Sequence, residues 1–429
     1  MGTGRRFVIR LRLLAAVAAV LMLGLGLVLQ PGCTLFETPT TSSSTETTAT
    51  TAPGSTSTVS TGGTGSTDST TTGGTTPSGG IISGAPMFRA DLTRSGVYPG
   101  PAPAALTGAA WKVKLGKDKN SLSWSAPAVV DGVVFVGATD KNLYALDAAT
   151  GAQKWSEPFK TGGEIWSSPA VVDGTVYVGS SDRSLHAVEA SSGAEKWKFS
   201  AKGAIVSSPA VAEGVVYVGA GDGTLYAIEA GSGSAKWSFK GGHDISSSPA
   251  VAVGTVYVGS ADDFLYAVEA ATGKEKWRYR TAGDVWSTPA VGEGTVYVGS
   301  YDMQLHAVSA DTGEVKWTFK TEGGVVSSPA VADGKVFVGS LDGRVYALDA
   351  QNGAEVWRFT TGGKVWSSPV IAGTVVYVGS ADDHVYALDV KTGSELWKFK
   401  TEAEVWSSLA VAGGMVFVGS LDGNLYALK

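Results

Sequence analysis

Residues 163–203 read GEIWSSPAVVDGTVYVGSSDRSLHAVEASSGAEKWKFSAKG, and this stretch decides the fold. It divides into four short runs. Ile165–Val172 is apolar and Ser-rich and stops at Asp173-Gly174; Thr175–Gly179 alternates β-branched and aromatic residues and stops before Asp182. Leu185–Ala190 alternates again and stops at Ser192-Gly193, and Lys196–Phe199 carries a tryptophan. Such runs suit a pleated, half-buried surface, and the Gly, Asp and Ser between them suit tight reversals, so the unit is an antiparallel meander of four strands. No segment between 111 and 429 has a 3.6-residue apolar period of helical length.

The unit recurs along the chain. Trp111, Trp155, Trp197, Trp237, Trp277, Trp317, Trp357 and Trp397 mark its fourth strand, 40 residues apart from Trp197 onward, with first intervals of 44 and 42. A period near 40 with four strands per unit is the mark of a β-propeller. The first tryptophan precedes any first strand, and the chain's last residue, Lys429, follows an eighth third strand. The expected fold is therefore all-β: an eight-bladed propeller of four-stranded antiparallel blades, closed by strand 111–115 completing the last blade. Closure removes the open strand edge that a linear array would leave. A solenoid is the alternative, but it needs capping units and none is visible.

Outside the repeat, composition changes sharply. Residues 1–32 hold Arg5, Arg6, Arg10 and Arg12, no acid, and the apolar run Leu13–Leu29, the pattern of a signal peptide or N-terminal anchor. Gly32-Cys33 resembles the end of a bacterial lipobox with Cys33 as the lipidated residue, although Gln30 stands where an aliphatic is usual. An uncleaved anchor is the alternative, since 17 apolar residues reach the lower limit for spanning. Residues 33–80 are almost wholly Thr, Ser, Gly and Pro, a composition that cannot offset its ordering entropy; they are expected to form a disordered linker with a reach of roughly 35–40 Å. Residues 81–110 form a pre-propeller segment, and 111–429 the ring. The expected setting is extracytoplasmic and membrane-anchored.

Charge and cysteine usage exclude several function classes. Loss of residues 1–32 leaves 29 basic against 39 acidic residues, a net charge of −10, so nucleic acid is not expected as a partner. Cys33 is the single cysteine, which leaves the ring without a disulfide, a thiolate metal cluster or a catalytic thiol.

The repeated positions are structural first. A buried tryptophan is worth about 4–6 kcal/mol at the upper limit, so eight of them would wedge each blade against its neighbour. Gly151, Gly273, Gly313 and Gly393 supply positive φ to the turn ahead of the tryptophan strand. One Asp per blade follows the second strand, at 140, 182, 222, 262, 302, 342, 382 and 422. Eight carboxylates could suggest a metal crown, but Asp222, Asp342 and Asp422 precede Gly, which is hairpin chemistry. His186 and His306 occupy the third-strand tyrosine slot and are expected to be core substitutes.

The runs ALDAATGAQKW (Ala145–Trp155) and ALDVKTGSELW (Ala387–Trp397) resemble the tryptophan-docking motif of the PQQ-like (pyrroloquinoline-quinone-type) β-propeller repeat family. The segment MFRADLTRSGVYPGP (Met87–Pro101) is similar to what often precedes such rings in bacterial surface proteins. The resemblance implies the propeller fold over about 87–429. It leaves function open between quinoprotein dehydrogenases and non-catalytic lipoproteins, including the propeller subunit of the outer-membrane β-barrel assembly machinery. It favours the latter, because the dehydrogenases imply PQQ with calcium, an Asp base, often a vicinal disulfide, and loops inserted between blades. This chain has no second cysteine and uniform 40-residue blades.

Function is sought where the copies differ. Three residues before the proline slot of the first strand stand Trp124, Trp166, Trp286, Trp366 and Trp406, replaced by Val206, Ser246 and Val326 in the other blades. Two residues further back stand Glu164, Asp244, Asp284, Glu404 and Lys364 among neutral residues. The first strand is innermost, so these positions should ring one mouth of the channel. They are either inter-blade packing with solvated acids, or an aromatic, acidic docking surface suited to basic peptides. The expected function is a non-catalytic, membrane-tethered envelope scaffold, a monomeric ring with no catalytic residue, metal or cofactor, and with a protein or peptide partner of basic character. The alternative is a PQQ-dependent quinoprotein dehydrogenase or a sensor of PQQ-like ligands.

Overall fold

The computed structural model describes residues 87–101, 103–116 and 124–429, so Cys33, the apolar run and the linker lie outside the described residues. Eight sheets make up the ring. In the second blade the inner strand is Ala170–Val172, followed outward by Thr175–Gly179, Ser184–Glu189 and Glu195–Ser200, all antiparallel. Among the described residues no helix is long and apolar enough to cross a membrane.

Two N-terminal strands join blades far away in sequence. β1 (Val97–Tyr98) runs parallel to the inner strand of the seventh blade, pairing Val97 with Ile371 and Tyr98 with Ala372. β2 (Ala109–Lys114) pairs antiparallel with Asn424–Leu428, placing Trp111 opposite Ala427, and supplies the eighth blade with its outer strand. The ring is thus closed by the N-terminal strand, two residues earlier in the chain than its sequence pattern suggests.

The inner strands are shorter than the apolar run implies. Ile165–Pro169 is not ladder-paired within its blade. Pro169 has no N–H to give, and the Ser168 amide donates to Ser208 Oγ of the next blade at 3.0 Å. The same bond passes from Ser208 to Ser248, Ser248 to Thr288, Thr288 to Ser328, Ser328 to Ser368 and Ser368 to Ser408, always across 40 residues. Ala126 donates its amide to Ser168 Oγ but has no hydroxyl of its own to offer, so this belt is interrupted between the eighth and first blades.

Between blades, each outer-strand tryptophan docks onto its neighbour. Trp197 Nε1 donates to the carbonyl of Ala230 at 2.9 Å, Trp237 to Ala270 at 2.9 Å and Trp277 to Ala310 at 3.0 Å. Each indole also packs on the second-strand aromatic of its own blade, as in Tyr177–Trp197 at 5.8 Å. The turn glycine has two reasons to be glycine. Gly313 has φ +74°, and a Cβ there would lie 2.7 Å from Trp277 Cδ2. The core is accordingly a series of layers between blades. Phe135, Leu143 and Trp155 of the first blade, for instance, pack with Ile165, Val176 and Val188 of the second.

The Asp after each second strand is fixed in the fabric of the ring. Asp222 Oδ2 accepts the Tyr226 hydroxyl at 2.8 Å and the Lys202 amide at 3.1 Å, while Oδ1 accepts the Thr224 amide at 2.9 Å. His186 and His306 take the tyrosine's place against Asp182 and Asp302, buried at 4% and 2% exposure. The extra two residues of the first 42-residue repeat lie between Trp155 and Phe159, where they leave an outer strand of only Phe159–Lys160.

Candidate functional site

The candidate residues lie on one mouth of the ring because of a repeated main-chain bond. The amide that follows the second strand donates to the carbonyl of the variable position: Ser181 to Glu164, Ala261 to Asp244, Tyr301 to Asp284, Ala381 to Lys364 and Leu421 to Glu404, at 2.8–3.0 Å. Each loop ahead of an inner strand is thereby fastened to the turn between the second and third strands.

The aromatic positions do not act alike. Trp124, Trp366 and Trp406, from the first, seventh and eighth blades, converge on one another with ring centroids 5.6–5.9 Å apart. Trp366 is buried at 6% exposure, and the other two stay half-buried. Edge-on and tilted packing of this kind is the favoured arrangement for aromatic quadrupoles. Trp166 instead donates its indole N–H to Glu164 Oε2 at 3.0 Å, as Trp406 does to Glu404 Oε2 at 2.6 Å. Trp286 meets Tyr301 edge-on at 5.2 Å.

Across the mouth the fourth and fifth blades carry the acidic part. Burial pushes the Asp244 carboxyl up from its ordinary value; nearby His243 opposes this and Asp222 adds to it. Burial likewise raises Asp284, helped by the charges of Asp263 and Asp244 and opposed by His243. The Tyr301 hydroxyl is pushed up to about 12 by burial and by Asp284. Crowded carboxylates with raised values are under-neutralised, and a cation from outside would relieve them. The mouth is therefore two-sided, aromatic over blades seven, eight and one, and anionic over blades four and five.

Among the candidate positions, little answers the needs of PQQ. A planar polycarboxylate needs cationic partners and an open slot. Here three indoles fill one side in mutual contact, carboxylates face the other, and Lys364 is the one cation among the candidate positions.

The far end of the channel holds what the sequence pattern did not reveal. Residues 87–98 run inside the ring, where the carbonyls of Leu92, Thr93, Ser95 and Gly96 accept the amides of Val251, Val291, Val331 and Ile371 at 2.7–2.9 Å. Those donor strands belong to the fourth to seventh blades, and the donating residues lie five positions beyond the tryptophan slot of the mouth. Arg89 and Arg94 are buried at 1% and 0% exposure. Arg89 reaches the carbonyls of Pro369 at 3.2 Å and Pro329 at 2.5 Å. Arg94 reaches Pro249 at 2.8 Å, Pro209 at 2.9 Å and Ser208 at 3.3 Å, and its Nη1 also donates to Phe88. The Tyr98 hydroxyl donates to the carbonyl of Leu409 at 3.1 Å. Two arginines in an otherwise mixed segment carry no periodic signal, so sequence reasoning had nothing to detect.

With this geometry in place, comparison with known proteins is informative. The profile of the family described as outer membrane protein assembly factor BamB matches residues 104–165, 159–247, 240–329 and 319–429. The chain belongs to this family. No curated protein matches this BamB-family chain in sequence. Among solved structures it is similar to BamB from Moraxella catarrhalis, at 22% identity over 76% of this chain and 98% of that one, with a TM-score of 0.64. It is also similar to the computationally designed Ika8 protein, at 20% identity over 73% of this chain and 98% of that one, TM-score 0.66. A quinohemoprotein alcohol dehydrogenase from Comamonas testosteroni matches at 17% identity over 81% of this chain and 80% of that one, TM-score 0.68. At these identities the likeness to solved structures is one of fold.

Proposed function

We propose that this ring is a non-catalytic scaffold of the cell envelope, tethered to a membrane through its N-terminal segment, that captures a protein partner at the aromatic and acidic mouth. The partner offers an extended segment with a basic side chain beside an apolar one. The observation that carries this reading is the division of the mouth between the Trp124–Trp366–Trp406 cluster and the raised carboxyls of Asp244 and Asp284. Partly exposed tryptophans supply binding energy at low entropic cost, and under-neutralised carboxylates select cations and speed encounter. Membership of a family described as an outer membrane protein assembly factor supports an envelope role and a protein partner.

The test is capture of envelope proteins by the whole protein, comparing the wild type with Asp284→Lys and Glu404→Lys. On this reading both variants stay folded and capture at least 10-fold less partner, through a slower, less salt-sensitive association. Unchanged capture by folded variants removes the acidic mouth from the account.

A further inference from the structure

The channel end opposite the mouth is built like a binding site that already holds its ligand. Every polar contact of Arg89 and Arg94 outside the segment itself is to a main-chain carbonyl just ahead of an inner strand, at Ser208, Pro209, Pro249, Pro329 or Pro369. Among the described residues no carboxylate lies within ion-pair distance of either guanidinium. Asp91, the acid nearest in sequence, is instead engaged by the Thr93 hydroxyl at 2.7 Å, the Ser95 amide at 3.1 Å and the Ser95 hydroxyl. Burial draws both arginines down to about 10, which leaves them charged at neutral pH. Inward-pointing carbonyl dipoles thus do what a carboxylate usually does for a buried cation, and a planar five-donor fork reaches several of them at once where an ammonium could not.

The segment is also held in a shape it would not choose. Arg89, Ala90 and Arg94 have φ of 61°, 72° and 58°, in the left-handed region that non-glycine residues rarely occupy. A Cβ on Gly96 would lie 2.3 Å from Arg89 Nη2. The ring therefore imposes the conformation. Its own side of the site comes from blades three to eight, between 114 and 311 residues away in the chain. A site assembled from such distant residues has no means of telling its own segment from the same segment on another copy.

The geometry points to a guanidinium-reading peptide site in the channel, for which residues 87–98 are a resident, exchangeable ligand that a second copy of this chain can supply in trans. The site does not involve the mouth proposed above to capture a partner, and either can fail without the other. In cis the segment competes at an effective concentration of order millimolar, because about ten residues tie it to β2. Exchange therefore becomes visible when that tie is cut or when copies are crowded.

The experiment places a specific protease site at Pro99–Pro101, which is exposed, in the full chain. After cleavage, a fluorescent peptide spanning Met87–Tyr98 is added and its anisotropy followed. The expected result is one bound peptide per ring, displaced by the unlabelled peptide, with roughly 100-fold or weaker binding when both arginines are lysines. A cleaved ring that keeps its circular dichroism but takes up no label overturns the proposal, as does equal binding of the lysine peptide. A second measurement does not depend on cleavage. Two tagged populations of the uncut chain are unfolded, mixed and refolded at high concentration. Copurification of both tags, lost in the double Arg89→Lys/Arg94→Lys chain, supports exchange; no mixed species at any concentration overturns it.

Discussion

Trp397 donates its indole N–H to the carbonyl of Pro103 at 2.9 Å, across 294 residues of chain. The tyrosine of the same blade, Tyr377, donates its hydroxyl to that carbonyl at 2.9 Å. In the second to sixth blades the equivalent indole bond ends on the residue 33 positions downstream. For Trp397 the acceptor is Pro103, and the Thr107 and Gly108 amides bond to the Lys429 carbonyl at 2.6 and 3.2 Å. The N-terminal segment therefore supplies this part of the ring with a turn acceptor as well as an outer strand.

Deletion should separate these contributions. A chain starting at 81 keeps residues 87–98, Pro103 and β2, and should melt as the full chain does. A chain starting at 116 loses Trp111 with its bond to Ala148, Pro103 and residues 87–98, and should be less stable by several kcal/mol, of which Trp111 contributes up to about 4–6 kcal/mol. Denaturant unfolding of the two checks this, and equal stabilities would contradict closure.

Turn glycines offer a cleaner comparison. Gly313→Ala must accommodate a Cβ 2.7 Å from an indole carbon as well as positive φ, whereas Gly174, at φ +67°, has nothing within 4 Å of a Cβ. Gly174→Ala should cost about 1 kcal/mol and Gly313→Ala about 1–3 kcal/mol more, as overpacking does. Chemical denaturation midpoints at constant slope measure the difference.

The interrupted hydroxyl belt suggests a gain. Ala126 is buried at 1% exposure in the slot that a serine or threonine fills in the other seven blades. Ala126→Ser should offer the Ser408 amide the acceptor that its counterparts have, and should stabilise the ring by about 0.5–1.5 kcal/mol. A higher thermal midpoint is the expected readout.

Acidity at the mouth fixes a sign for pH dependence. Asp244 and Asp284 have raised values in the folded ring, so folding binds protons at these sites. Their favourable contribution is fully present below the ordinary carboxylate range and is lost as pH rises through that range to their raised values. Asp244→Asn/Asp284→Asn should therefore exceed the wild type in stability at pH 7 and lose that advantage at about pH 3. Thermal melts at the two pH values decide it.

Much of this architecture was legible because the repeat states it eight times. The tryptophan interval, the out-of-phase Trp111 and the turn glycines gave blade count and closure, and the position of the mouth followed from strand order. What escaped was contact between copies and contact without period. That Trp124, Trp366 and Trp406 meet depends on channel curvature and side-chain length, which spacing does not encode. That Arg89 and Arg94 enter the channel depends on carbonyls contributed by four blades, and no local pattern in Met87–Tyr98 records them.

The most direct test of the central reading is a titration of the purified protein followed by tryptophan emission, with a basic extended peptide in one arm and PQQ, with and without Ca²⁺, in the other. The account predicts a saturable, salt-sensitive change with the peptide and none with PQQ at tens of micromolar. Saturable, Ca²⁺-dependent quenching by PQQ, with no response to the peptide, would contradict it.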